Sequence, residues 1–425
     1  MSAATEQITA LIDGDTHRLI EVFKDLHRNP ELGFTEVRTS RIVAQALADL
    51  GFTVTTGIGR TGVVATLDNG PGPVVMYRAD MDALPVREDT GLDYASTAHV
   101  RHGDADGAGE TPVGHLCGHD AHVTWMLGMA RVLAQTTDTW TGTAVLIGQP
   151  AEELIAGAQA MIDDGLYDVI PKPDAFVALH TAPVPVGMVV AVGGERMAGT
   201  DQLDIVFHGV GGHGSMPQLA KDPVLMAAQA VVQFQSIVSR TVAPHETAVL
   251  TVGSLQAGSA YNVIPDRACL KVNLRWFNPY VRQQLLDGIR AVCDGIAHSN
   301  GMPDDLRPEI TMHGGSTPLT NDTGLTGRLA SALGGAVGAQ NVVTQLPAVT
   351  GSEDCHLLKG PHADVPLAYL MVGVADPKVY ADAAAKGKLF PYAPHSPEYV
   401  VDPAAIGFGT EVASRAMLEL LRTPR

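Results

Sequence analysis

The sequence predicts an α/β fold, a mostly parallel sheet covered by helices on both faces, with a second, smaller domain inserted into it. Three observations predict it. Short apolar strands that end in polar residues alternate with helical patterns, as in sheets whose two faces are both buried. The middle of the chain switches to a different order of elements. A length of 425 residues also exceeds what one ordinary core accommodates.

The strand patterns are GVVATL (62–67), PVVMYRADMD (73–82), TAVLIGQPAEE (143–153), DAFVALH (174–180) and PLAYLMVGV (366–374). A helical pattern runs over 35–50 and stops at Gly51. A second runs over 121–134, with Asp120 as its expected N-cap. Ligands of such sheets bind beyond the carboxyl ends of the strands, and the polar residues of these segments fall there. From 197 to 313 the order becomes strand (DQLDIVFHGV), helix, strand (TAVLTVGSLQAG), strand (RACLKVNLRWF), helix and strand (EITMHG). That β-α-β-β-α-β order is ferredoxin-like. The expected division is therefore a sheet domain of 1–196 and 314–425 with an inserted domain of 197–313. The stretch RHGDADGAGETPVG (101–114) reads as an exposed Gly/Asp-rich loop.

Hydrophobic residues make up 45% of the chain, charged residues 17%, and the net charge is −18, the balance of a soluble globular protein. Nucleic acid and anionic membranes reward basic patches, so neither is expected as a partner. No apolar run approaches the roughly 20 residues that span a bilayer. The N-terminal stretch MSAATEQITALIDGDTHRLIE lacks the basic start and apolar centre of a secretory signal. The cysteines at 117, 269, 293 and 355 show no disulfide-framework spacing. A reducing, cytoplasmic setting is expected.

Chemistry concentrates in VGHLCGHDAH (113–122), where Cys117 and His119 precede a helix. Alone, the pair reads more readily as a buried thiol beside a capping histidine. Glu152 and Glu153, however, follow the strand TAVLIGQP, and His180 ends DAFVALH. Adjacent carboxylates repel unless a cation lies between them or their roles differ. Thiolate, imidazole and carboxylate together suit zinc, manganese or another first-row divalent ion. If one glutamate binds the ion, its neighbour is left to accept a proton from water. Asp80 and Asp82 read equally as turn carboxylates, His213 lies among glycines, and His115 and His122 read as structural.

The stretches LHRNPELGFTE (26–36), RADMDALP (78–85), CGHDAH (117–122), QPAEE (149–153), GGHGSMP (211–217), NVIPDRA (262–268), GSED (351–354) and HSPEY (395–399) together resemble peptidase family M20. The resemblance is to its amidohydrolase branch of hippurate hydrolases, N-acyl-amino-acid hydrolases and auxin-conjugate hydrolases. It implies a zinc-exopeptidase-like sheet domain with an inserted dimerisation domain. It implies two divalent metal ions, zinc or manganese first and nickel or cobalt next, held by Cys117, His119, Glu153, His180 and His395. Cys117 takes the bridging place that an aspartate fills in other branches. Glu152 is implied as general base and Asp82 as the carboxylate that orients an active-site group. His213, Asn262 and Arg275 are implied as substrate contacts, with His213 able to reach the partner subunit's site in a homodimer. The sequence departs from the family at Leu116, where alanine is usual, at Cys355, where phenylalanine is common, and in a longer loop over 97–113. The expected activity is hydrolysis of an N-acyl amino acid. A carboxypeptidase or dipeptidase, a catalytically silent metal-binding relative and a thiol hydrolase using Cys117 are the alternatives.

Overall fold

A computed structural model describes residues 3–101 and 109–422. The centre of the Gly/Asp-rich loop, 102–108, lies outside the described residues. The chain forms two compact units: Met1–Gly194, Thr320–Pro347 and Asp354–Arg425 in the first, Glu195–Leu319 and Ala348–Glu353 in the second.

The first unit begins with helices α1 (Ala3–Arg28) and α2 (Val37–Asp49) and strands β1 (Thr53–Ile58), β2 (Gly62–Asp68) and β3 (Val74–Asp80). Helix α3 (His119–Gln135) and strands β4 (Thr143–Gln149), β5 (Ala175–Pro185) and β6 (Val189–Val190) follow. The second unit contributes β7 (Gly199–His208), β8 (Gly212–His213), α4 (Pro223–Ser236), β9 (Ala248–Ala257), β10 (Val263–Ile264), β11 (Arg267–Trp276), α5 (Pro279–Ser299) and β12 (Glu309–Ser316). The chain then returns to the first unit with α6 (Thr323–Val337), β13 (Val342–Val343), β14 (Leu367–Ala375) and α7 (Ala404–Leu421).

In the first unit an eight-stranded sheet has the order β1-β2-β4-β3-β5-β14-β6-β13. Its central pairs, β3 with β4, β3 with β5 and β5 with β14, are parallel. Parallel strands buried on both faces read as continuous apolar runs, and β14, LAYLMVGVA, is buried at eight of its nine positions. Helix α3 is buried on every side from His119 to Ala130, as expected of a helix enclosed by its neighbours. Its Trp125 indole donates to the Ala405 carbonyl at 3.0 Å, tying α3 to α7.

In the second unit β9-β11-β7-β12 form an antiparallel sheet carrying α4 and α5, the ferredoxin-like order the sequence predicts. Alternate residues of β7 and β11 point inward, among them Leu203, Ile205, Phe207, Leu270, Val272 and Leu274, and pack against Phe234, Leu285 and Ile289 of the helices. The segment Ala348–Glu353 joins this unit because Val349 donates to the Arg196 carbonyl and the Ser352 hydroxyl donates to that of Ala198.

Two local expectations need correction. Asp120 does not cap α3. The helix starts two residues earlier, at His119, with Gly118 in the left-handed region (φ 84°) as its N-cap, and the Asp120 carboxylate is taken up by His27. His180 also does not end its strand. β5 runs on to Pro185 because β14 keeps pairing with it beyond Met371↔His180. Pairing with β3, by contrast, ends at Arg78↔Ala178, so His180 emerges where one neighbour has gone.

Candidate active site

Four segments of the first unit meet at the carboxyl ends of β3 and β4 and beside β5. The first is the turn 114–119 into α3. A Cβ on Gly118 would come within 2.6 Å of the Thr181 methyl, so only glycine lets this turn lie against β5. The Thr181 hydroxyl donates to the Cys117 carbonyl at 2.6 Å and fixes the turn. The second segment follows β4, where Glu153 N–H donates to Asp82 Oδ2 at 2.9 Å. Ala151 and Ile155, which flank the two glutamates, both have positive φ, 47° and 51°. The third is β5 with His180. The fourth brings His395, also left-handed at φ 65°, whose N–H donates to the Leu116 carbonyl at 2.8 Å. Strained backbone of this kind collects at functional sites.

The side chains converge. One ligand atom each of Cys117, His119 and Glu153 lies within 4.8 Å of the others. Cys117 Sγ is 3.6 Å from His180 Nε2, and His395 Nε2 is 3.3 Å from Glu153 Oε1. Glu152 stands beside them, its Oε2 3.8 Å from His119 Nε2. His119 donates from Nδ1 to Asp82 Oδ1 at 3.2 Å, and His180 donates from Nδ1 to the Thr181 carbonyl at 2.7 Å. Each ring is thereby oriented with Nε2 toward the cluster, the arrangement that metal-ligating histidines use. His119 Nε2 and Glu153 Oε1, 3.8 Å apart, are buried without a hydrogen-bond partner. Buried polar atoms are normally paired. Here a thiol, two imidazoles and a carboxylate surround the orphaned atoms, so the donor set fits a divalent cation.

The charges agree. Burial works against a charged His119, but Asp80, Asp82 and Glu153 outweigh it and lift its pKa to about 10. A histidine held protonated by three carboxylates marks a place where positive charge is favoured, and a proton and a cation compete for it. Burial pushes the Cys117 thiol well up, with Glu153 and Glu152 adding to it. Burial also raises Glu153, yet His395 and His119 bring it below its ordinary value.

Under this cluster lies a polar network that sequence reading missed. Arg78 and Asp80, both with fully buried side chains, pair at 2.7 Å, while Arg78 Nε donates to Gln149 Oε1 at 2.8 Å. Asp354 Oδ1 lies 3.7 Å from the same guanidinium and accepts from Gln149. Burial opposes the Asp80 charge, but Arg78, His119 and His122 hold its carboxyl well below the usual range. His122 Nδ1 bonds Asp80, and its Nε2 accepts the Thr181 N–H at 2.8 Å. Both nitrogens are therefore engaged, and His122 supports the site rather than facing it. An arginine inside the apolar run VVMYRAD was the available signal, because a central strand tolerates such a charge only when partners surround it.

His213, Asn262 and Arg275 belong to the second unit. His213 pairs with Val263 across the β8–β10 ribbon, where Gly214 N–H donates to the Asn262 carbonyl at 2.8 Å. Arg275 donates to Asn273 and Ser352. Among the described residues no helix is long and apolar enough to cross a membrane.

Known proteins resemble the chain over much of its length. The chain is 40% identical over 287 residues to the hippurate hydrolase of Campylobacter jejuni, covering 67% of this chain and 71% of that one. It is 35% identical over 344 residues to the N-acetyl-L-cysteine deacetylase of Bacillus subtilis, covering 80% and 78%. Its fold matches the crystal structure of the YXEP protein of Bacillus subtilis, described as a dinuclear metal binding peptidase from the M20 family. That match has a TM-score of 0.72 at 27% identity and covers 96% of this chain and 99% of that one. Residues 76–386 match Peptidase family M20/M25/M40; the chain belongs to that family and is a hydrolase acting on amide bonds.

Proposed function

We propose that the protein is a metal-dependent amidohydrolase that removes the acyl group from small N-acyl amino acids. The observation that carries this reading is the convergence of Cys117, His119, Glu153, His180 and His395 around orphaned donor atoms, with Glu152 beside them. The five would hold two divalent ions. Zinc or manganese suits the donors best, and nickel or cobalt is next. When bound, the ions polarise the amide carbonyl and acidify the attacking water. Glu152 takes the proton from that water and delivers it to the leaving amine. Asp82 holds the His119 ring and the Glu153 backbone in place. His213 steadies the developing oxyanion, and Asn262 and Arg275 hold the substrate carboxylate. The hydrolases named above, on hippurate and on N-acetyl-L-cysteine, support an N-acyl amino acid as substrate. The protein would work in the cytoplasm as a homodimer through the inserted unit.

The test is a panel of N-acetyl-amino acids, N-benzoyl-amino acids and dipeptides offered to metal-loaded protein, with released amine as readout. Turnover of the N-acyl compounds, lost on chelation and restored by added metal, is expected. Preference for dipeptides would make the protein a dipeptidase or carboxypeptidase. Turnover that survives chelation would leave thiol chemistry at Cys117.

The role of His213 has its own test. Mixing Glu152→Gln with His213→Ala, each inactive alone, restores activity on subunit exchange if His213 serves the partner subunit. No recovery after demonstrated exchange excludes that role, and a monomer in solution removes the dimer.

A further inference from the structure

Residues 26–36, LHRNPELGFTE, precede the region 76–386 that matches the family, yet they brace three loops of the site. His27, at the end of α1, meets Asp120 Oδ2 through Nδ1 at 2.6 Å, next to His119. The Glu31 carbonyl accepts the Ala83 N–H at 2.8 Å, next to Asp82. Glu36 makes the third contact, with a buried carboxylate placed against the backbone at the start of the glutamate loop. Its side chain is 0% exposed. Oε1 accepts the Ala151 N–H at 2.8 Å, and Oε2 accepts the Thr61 hydroxyl at 2.5 Å.

The Ala151 contact matters because of the backbone it holds. Ala151 directly precedes Glu152 and sits at φ 47°, a region that residues with a side chain occupy only where their surroundings enforce it. β4 has ended two residues earlier at Gln149, so no sheet ladder supplies that force. The Glu36 carboxylate supplies it through the Ala151 N–H, and the Thr61 hydroxyl holds that carboxylate in turn. Packing adds to it, since a Cβ on Gly33 would lie 3.1 Å from Ala151 Cα and 3.0 Å from the Leu154 side chain. The segment therefore presses on the turn as well as bonding to it.

We propose that Glu36 is a positioning residue for Glu152: by holding the Ala151 N–H it fixes the left-handed turn that aims the Glu152 carboxylate. The inference rests on Glu152 as the proton acceptor. Glu36→Asp keeps the charge but withdraws the acceptor by one methylene. It lowers kcat roughly tenfold to a hundredfold, the scale of a misplaced catalytic group, with KM and metal content unchanged. Glu36→Gln retains an oxygen for the Ala151 N–H and keeps most of kcat. In a Glu152→Gln background, Glu36→Asp causes no further loss, because two residues acting as a unit are not additive. Should Glu36→Asp fail to fold, Gly33→Ala disturbs the same contact and shows the same loss in kcat.

Parental kcat in Glu36→Asp beside an inactive Glu152→Gln overturns the positioning role alone. An equal loss in Glu36→Gln, or an undiminished loss in the Glu152→Gln background, overturns it too. Parental turnover of Glu152→Gln by itself overturns the reading of the base instead.

Discussion

Glu152→Gln is expected to lower turnover by about 10²–10⁴-fold, the usual contribution of a general base, while metal content and fold stay as in the parent. Glutamine fills the same volume, which matters because Glu152 is only 6% exposed. The turn it sits on is held by backbone contacts that the substitution leaves alone, including the Ile155 N–H on the Glu152 carbonyl at 2.6 Å. Only the ability to take a proton is removed. Steady-state kcat, metal content by mass spectrometry and far-ultraviolet circular dichroism, measured together, check it. Near-parental turnover would send the proton elsewhere, and loss of metal would make Glu152 a ligand.

The largest effect on stability is expected from Arg78→Met. Methionine replaces the bulk but leaves Asp80 and Asp354 buried without their guanidinium. Breaking a buried pair by removing one partner typically costs about 3–5 kcal/mol, most of it from the charge left uncompensated. Arg78→Lys is expected to recover only part, since an ammonium cannot reproduce the planar fork that serves Gln149 and Asp80 together. Hydrogen exchange in rising urea, followed on β3 and β4, separates this loss from any change in the second unit. Unchanged protection of β3 in Arg78→Met would show that the network is neutral to folding.

Much of this architecture was legible in the sequence, for reasons that also show what was not. The strand patterns over 62–67, 143–153 and 366–374 were readable because burial on both faces makes β2, β4 and β14 continuous apolar runs. The inserted unit was readable because its antiparallel strands alternate and its elements follow the ferredoxin-like order. The metal-type residues that converge here were visible as residue types, although His180 lies within its strand rather than at its end. What failed depends on partners distant in sequence. The extension of β5 past His180 is imposed by β14. The Asp120 carboxylate, expected to cap α3, is claimed by His27 across 93 positions. Glu36 lay in plain view in ELGFTE, but its task is set by Ala151, 115 positions away. No local pattern reports such a pairing. Arg78 is the exception, since its own strand context announced a need for partners.

The place of β14 in the sheet bears on how the chain is made. β14 lies between β5 and β6, yet it is synthesised about 180 residues after β5. At about 5–20 residues per second, a ribosome needs roughly ten to forty seconds for that interval. Throughout it, the apolar strand β5 offers an unpaired edge, the kind of surface on which nascent chains aggregate. The four strands β7, β9, β11 and β12 emerge within the same interval, so the insert is able to fold while its host waits. The delay therefore falls on the eight-stranded sheet, and protection by chaperones during translation is worth most to that part of the molecule.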